Sequence, residues 1–156
     1  MLDSKFHDSI YAIYGFVRVA DEIVDTFHDH DKVALLTQFK KETYDAIDRG
    51  ISLNPVLNSF QLTVNEFNID LKLVDALFRS MEMDLEKKNY DCAGYKEYIY
   101  GSAEVVGLMC LYVFCEGKQE LFDHLEAPAR SLGAAFQKVN FLRDIKADFN
   151  GMSRVY

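Results

Sequence analysis

The chain has few of the residues that define several common classes of protein. Its 156 residues include three cysteines, Cys92, Cys110 and Cys115, with no C-x-x-C spacing. That number and spacing do not favour a zinc site or a disulfide framework, so the thiols are expected to be small core residues in a reducing compartment. The G-x-x-x-x-G-K, G-x-G-x-x-G and D-x-D-x-D-G patterns are also absent. Phosphate-loop, Rossmann and EF-hand sites are therefore excluded in their usual sequence forms.

Basic residues are outnumbered by acidic ones, 17 Lys and Arg against 25 Asp and Glu, which gives a net charge of −8. Such a chain cannot supply the basic stripe that neutralises a phosphate backbone, so no nucleic-acid partner is expected. An acidic protein can still bind a diphosphate if metal ions and a few arginines offset the negative charge.

Long apolar segments are also absent from the sequence. The longest run, Val105 to Cys115, has eleven residues, which is too short to span a bilayer. The first residues are polar from Asp3 onward and do not resemble a signal peptide. The chain is therefore expected to be soluble and cytoplasmic, with at most a peripheral contact with a membrane.

Apolar residues recur at spacings of three and four along the whole chain, which predicts an all-α fold in one domain covering residues 1–156. Local signals place several helix ends. Asp31 is a predicted N-cap, and Asn54 and Pro55 form a predicted N-cap and first helical residue. Gly50 is predicted to end the helix before them.

Three further structural predictions depend on pattern alone. One helix is expected from Tyr95 to about Cys115, and the last helix is expected to start at Pro128 and to run to about Phe149. Met81 is assigned to the core and Met83 to the surface. With Pro128 at a helix start, both prolines of the chain would begin helices.

Two acidic motifs near opposite ends of the chain carry the strongest functional signal. Asp21 and Asp25 lie four residues apart, as do Asn140, Asp144 and Asp148. Residues four apart share one face of a helix. Carboxylates gathered on a buried face repel each other unless cations lie between them, and oxygen ligands of this kind suit Mg²⁺.

Each motif extends upstream along its own helix face. Tyr14 and Arg18 precede the first pair, and Gln137 precedes the second set. A solvated face is the simpler explanation for one isolated D-x-x-x-D. Here apolar neighbours such as Ile23 and Phe141 surround both motifs, which favours two acidic stripes that face each other over an apolar cavity.

Three segments together resemble the signature regions of the squalene/phytoene synthase family, and in particular of bacterial phytoene synthases: Tyr11–Asp25, Tyr98–Met109 and Leu132–Asp148. The resemblance implies an isoprenoid-synthase helical bundle and a Mg²⁺-dependent, head-to-head condensation of two prenyl diphosphates. With geranylgeranyl diphosphate as substrate, the product would be phytoene, formed through a cyclopropylcarbinyl diphosphate. NADPH is not expected.

The resemblance also implies roles for individual residues. The carboxylates expected to bridge Mg²⁺, with Mn²⁺ as an alternative ion, are Asp21, Asp25, Asp144 and Asp148. The side chains expected to bind the diphosphate or to support the second cluster are Arg18, Gln137, Asn140, Arg143 and Arg154. The groups expected beside the departing diphosphate are Tyr14, Tyr100 and Arg18.

The chain departs from the family pattern in two ways. Glu104 stands where many relatives have glycine, and both a role in the cavity and a simple hydrogen-bonded carboxylate are open. Family members are also nearly twice as long, so this chain is expected to be a partial domain without the N-terminal segment and the C-terminal helices. It is expected to be inactive alone, and to self-associate or to bind the missing segment.

Two alternatives to a phytoene synthase follow from the same residues. The first is a squalene or dehydrosqualene synthase that uses farnesyl diphosphate, because helix patterns do not reveal cavity depth. The second is a non-catalytic, synthase-like assembly or scaffold protein. Retention of both aspartate pairs argues against a scaffold, which has no need of buried carboxylates that repel each other.

Overall fold

A computed structural model describes residues 2–86 and 92–147 of the protein, with side chains except at Cys92 and residues 144–147. Those residues form helices and connecting turns with no strand, which confirms the all-α prediction. A 3₁₀ turn at Ser4–Phe6 leads into the first α-helix. The helices are α1 (His7–Asp25), α2 (Lys32–Arg49), α3 (Pro55–Phe67), α4 (Leu71–Glu86), α5 (Cys92–Ile99), α6 (Val105–Cys115) and α7 (Gln119–Ala147).

The predicted helix caps are found in the structure. At the start of α2, the Asp31 carboxylate accepts a hydrogen bond from the Ala34 N–H. At the start of α3, Pro55 is the first helical residue, and the Asn54 side chain before it accepts a hydrogen bond from the Val56 N–H. Gly50 follows α2 with φ of +67°, a left-handed conformation that glycine adopts without strain. These ends depend on neighbours within four residues, which is why the sequence predicts them.

The stretch predicted as one helix from Tyr95 to Cys115 contains the last five residues of α5, a π-helical turn at Tyr100–Glu104, and α6. Gly101 allows this turn to touch α4. A Cβ at Gly101 would lie 2.4 Å from the Ala76 carbonyl oxygen and 2.7 Å from Ser80 Cβ. Wide turns of this kind are often found at functional sites.

The last helix begins earlier than predicted. α7 runs from Gln119 to Ala147 with Pro128 inside it, so the prediction that Pro128 starts a helix was wrong. Proline removes one helical hydrogen bond and crowds the carbonyl four residues before it. Packing offsets this cost, because Phe122 is buried and Leu125 and Ala129 pack against the core.

The core is centred on aromatic side chains from four helices. Phe16 stacks on Phe60 with ring centroids 3.7 Å apart, and Phe39 and Phe78 pack around this pair. Helix α4 is buried over a broad arc that includes Met83, so the prediction of a surface position for Met83 was wrong. Helix α4 has an exposed stripe at Lys72, Asp75 and Arg79. Met83 lies at the edge of this stripe, where helical periodicity alone does not decide between a buried and an exposed position.

Among the described residues, one helical stretch, Ala93–Cys115, has the length and apolar composition that would allow it to cross a membrane. It includes part of α5, the π-helical turn and α6. Half of its most apolar window is buried inside the protein, as is usual for the core helix of a bundle.

Candidate active site

Helix α1 carries the first acidic motif, which begins one turn after Val17. Asp21 and Asp25 lie one turn apart, and both are half-buried. Arg18 is on the adjoining turn, where its guanidinium contacts the Glu22 carboxylate of the same helix. Tyr14 is two thirds exposed at 66%, so its phenol lies at the surface of the described structure.

The environment of Asp21 is unusual for a carboxyl group. The pKa of Asp21 is raised from 3.8 to about 6, mainly by burial and also by the neighbouring charges of Asp25 and Asp84, while Arg18 opposes the rise. Two carboxylates from α1 and one from α4 therefore share an electrostatic environment. Without a bound cation, this arrangement disfavours the ionised form of Asp21.

The raised pKa of Asp21 predicts a pH dependence of stability in the absence of ligand. The folded state holds this proton more tightly than the unfolded state, so its contribution is complete below pH 4 and is lost as the pH rises through 6. The free energy of unfolding should fall by about 3 kcal/mol across this window. Urea unfolding of the wild type and of Asp21→Asn at intervals from pH 3.5 to 7.5 measures the difference.

The exposed Asp48 on α2 provides the control for this measurement. Asp48→Asn should keep the wild-type pH profile, whereas Asp21→Asn should flatten it. Parallel profiles for the wild type and Asp21→Asn would show that Asp21 does not titrate in this range.

Helix α7 presents the second motif. Gln137 and Asn140 are half-buried, and the Asn140 amide donates to Gln137 Oε1 at 3.5 Å. Arg143 is exposed on the next turn. The side chain of Asp144 and all of Asp148 and Arg154 lie outside the described residues. Whether the two aspartate pairs face each other therefore stays a prediction.

Two functional candidates that the sequence patterns missed are Asp84 on α4 and Tyr98 on α5. Tyr98 is buried, and its hydroxyl donates to Asp84 Oδ2 at 3.0 Å. Its ring stacks at 6.1 Å on Phe141, the residue after Asn140. Asp84 follows Leu77 and Met81 at helical spacing on the apolar side of α4. A carboxylate among apolar residues on that side was the sequence signal that could have identified it.

The structure gives Tyr100 different surroundings from Tyr98. The Arg130 guanidinium lies 5.1 Å from the centre of the Tyr100 ring, and Arg130 Nε donates to Glu104 Oε2 at 2.8 Å. Glu104 is thus a hydrogen-bonded carboxylate paired with α7, the second of the two interpretations left open by the sequence. Tyr100 lies against this ion pair, whereas the rings of Tyr95 and Tyr98 both pack against Phe141 of the second motif.

An apolar cavity of about 610 Å³ lies between α1, the π-helical turn, α6 and α7. Gln137 and Asn140 line one end, while Phe114 and Leu125 line the other. Val17 also lines it, one turn before Asp21. The acidic face of α1 therefore begins at the edge of an apolar cavity whose polar end carries two carboxamides.

Within the ranges that the structure describes, no group of three or more His, Cys, Asp or Glu side chains is arranged to hold a metal ion. The donor chemistry of Asp21 and Asp25 does fit Mg²⁺, which is bound by one or two carboxylates and takes other ligands from water and phosphate oxygens. The metal site stays a prediction that needs the second aspartate pair.

Comparison with known proteins gives one consistent result. The sequence signature of the family Squalene/phytoene synthase matches residues 1–156. A phytoene synthase from Rhodobacter capsulatus is 28% identical over 95% of this chain and 43% of its own, and a presqualene diphosphate synthase from Sinorhizobium fredii is 30% identical over 96% and 52%.

A solved structure is also similar to this chain. The crystal structure of a dehydrosqualene synthase in complex with ligand superposes with a TM-score of 0.82 at 26% identity, over 99% of this chain and 52% of that one. The chain spans about half the length of the relatives that it matches.

Proposed function

This chain belongs to the squalene/phytoene synthase family, and we propose that it carries the diphosphate-binding and cavity-forming part of a Mg²⁺-dependent enzyme that joins two prenyl diphosphates head to head. We further propose geranylgeranyl diphosphate as the substrate and phytoene as the product. Farnesyl diphosphate, with a squalene-type or dehydrosqualene-type product, is the alternative. The proteins that are similar to this chain include phytoene, presqualene diphosphate and dehydrosqualene synthases, so both alternatives occur among its relatives.

The observation that supports this function best is the junction of an acidic helix face with an apolar cavity. Val17 lines the cavity, and Asp21 and Asp25 follow on the next two turns. A prenyl diphosphate has the same division, since an apolar chain ends in a multiply charged head. The cavity would take the chain and exclude water from the allylic cation, and the acidic face would hold the head through Mg²⁺.

The proposed roles follow from these positions. Bound Mg²⁺ would stabilise the charge that develops on the departing diphosphate. The side chains that would hold it are Asp21, Asp25, Asp144 and Asp148. Arg18, Arg143 and Arg154 would orient diphosphate oxygens, and Gln137 and Asn140 would fix the polar end of the cavity. Tyr14 and Tyr100 would be the phenols beside the departing diphosphate.

Ligand-induced stabilisation tests this function without requiring turnover. Mg²⁺ together with inorganic diphosphate should raise the melting temperature by about 5 °C or more at ligand concentrations far above the dissociation constant. Either component alone should have a smaller effect, because each completes the coordination of the other. Scanning calorimetry of the wild type and of an Asp21→Asn/Asp144→Asn variant measures the shift.

The same experiment separates an enzyme from a scaffold. A scaffold has no reason to bind Mg²⁺ and diphosphate together, so equal shifts in the wild type and in the double variant would remove the proposed site. The control is Asp48→Asn, because Asp48 is an exposed aspartate on α2. It should keep the full wild-type shift.

A further inference from the structure

The contact between α7 and the π-helical turn bounds the apolar cavity. Apart from Val17 of α1, the described residues that line the cavity belong to this turn, to α6 and to α7. Ala103 of the turn and Gly133 of α7 both line it, and a Cβ at Gly133 would reach the Ala103 backbone. The width of the cavity is therefore set by how closely α7 approaches the turn and α6.

Gly133 brings α7 and the turn as close together as their backbones permit. A Cβ at Gly133 would lie 3.0 Å from the Ala103 carbonyl oxygen and 3.1 Å from Glu104 Cα, whereas ordinary contact begins at about 3.4 Å. Both neighbours are backbone atoms, which cannot rotate away as the end of a flexible side chain can. A methyl group at residue 133 would therefore require α7 to move away from the turn by a few tenths of an ångström.

An ion pair joins the same two elements beside this contact. Arg130 lies one turn before Gly133, and its Nε donates to Glu104 Oε2 at 2.8 Å. The guanidinium also lies 5.1 Å from the centre of the Tyr100 ring. The Glu104 side chain is only 15% exposed, so solvent screens its attraction to Arg130 less than it would screen a surface pair. The ion pair therefore opposes separation of α7 from the turn.

We propose that Gly133 and the Arg130–Glu104 ion pair fix the width of the apolar cavity and thereby determine the length of the prenyl chain that the protein prefers. The inference rests on the proposed function, in which the cavity holds the apolar chain of the substrate. A longer chain fills more of the cavity, so its fit depends more strongly on the position of α7. One methylene in a hydrophobic pocket changes a substrate preference by about 10-fold to 200-fold, so a small displacement of α7 should be measurable.

Substrate preference in the full-length protein tests this inference. The measured quantity is kcat/KM for geranylgeranyl diphosphate divided by kcat/KM for farnesyl diphosphate. Gly133→Ala should raise this ratio about fivefold or more, because moving α7 away from the turn makes room for the longer chain. If Gly133 served folding alone, the substitution would lower both values by the same factor and leave the ratio unchanged.

Gly107 of α6 provides a matched control. It also lines the cavity, but a Cβ there would lie 3.5 Å from the Ala129 carbonyl oxygen, which is an ordinary contact. Gly107→Ala thus adds the same methyl group to the cavity wall without pushing α7 away. It should not raise the ratio, and an equal rise in Gly107→Ala and Gly133→Ala would contradict the inference.

Glu104 allows a second test that adds no atoms at the contact, and this test decides the matter if Gly133→Ala does not fold. Glu104→Ala removes the ion pair and should raise the ratio in the same direction by about twofold or more. Glu104→Gln keeps an oxygen that can accept from Arg130 and should stay close to the wild-type ratio.

An unchanged ratio in folded Gly133→Ala, or in Glu104→Ala if the first variant does not fold, would overturn the inference. The proposed function would stand in that case, because both diphosphates would still be converted. A wild-type protein that converts neither diphosphate would instead remove the proposed function, and this inference with it.

Discussion

Replacing Asp25 by alanine in the full-length protein is expected to abolish product formation while leaving the helical content nearly unchanged. The proposed site needs this carboxylate to hold Mg²⁺ against the diphosphate, and losing one preorganised stabiliser of transition-state charge typically costs 100-fold to 1,000-fold in kcat. Removing the charge should not destabilise α1, because Asp25 is its last residue and a carboxylate there opposes the helix dipole.

The structure supplies a reason why this end of α1 should survive the change. The Lys32 ammonium donates to the Val24 carbonyl at 2.8 Å, so the last turn has a partner from α2 that does not involve Asp25. Product analysis with C15 and C20 diphosphates, together with circular dichroism, measures both expectations. Asp48→Ala is the control, and wild-type turnover in Asp25→Ala would exclude Asp25 from the site.

A second large effect is expected from an exposed apolar face of α7, of which Leu132 and Phe136 also line the cavity. Four apolar side chains follow one another along this face with exposures from 59% to 72%: Leu132, Phe136, Val139 and Leu142. A contiguous apolar surface of this kind usually marks an interface. We expect the chain to self-associate through it, because contact with a second copy would remove this apolar surface from water.

Light scattering after size-exclusion chromatography tests this expectation. The wild-type chain should elute as dimers or larger species, and Val139→Ser/Leu142→Ser should shift it toward monomers. Neither residue lines the cavity. The matched control is Val33→Ser/Ile51→Ser, since Val33 and Ile51 are exposed to similar extents, 63% and 65%, on another part of the surface. A monodisperse wild-type monomer, or an equal effect of the control pair, would contradict the expectation.

The parts of the fold that the sequence predicts well are those decided by near neighbours. The caps at Asp31 and Asn54 and the left-handed Gly50 each depend on residues within one turn. The errors at Pro128 and Met83 have a different origin. Proline is tolerated in α7 because residues on both sides of it pack against the core. Met83 lies at the edge of the exposed stripe of α4, so its burial depends on packing between helices and not on periodicity within one.

In the candidate site too, the sequence predicts what depends on near neighbours and misses what depends on packing between helices. Spacing alone groups Asp21 with Asp25 and Gln137 with Asn140, and the structure confirms that each pair lies on one helix with its members half-buried. The bond between Asp84 and Tyr98 joins residues fourteen positions apart on two different helices. No periodicity within one helix encodes that contact, because it depends on how α4 and α5 are packed.

The number of residues in the π-helical turn at Tyr100–Glu104 determines how α5 is oriented relative to α6, whatever the identity of those residues. An extra residue in a turn changes the angle at which the two flanking helices meet their neighbours. Deleting one residue there would restore a regular helix and rotate α5 by about 100° relative to α6. Tyr98 would then point away from Asp84 although neither side chain had changed. Homologues whose turns differ by one residue should therefore be aligned by their structures before a tyrosine in one is assigned the position of Tyr98 in the other.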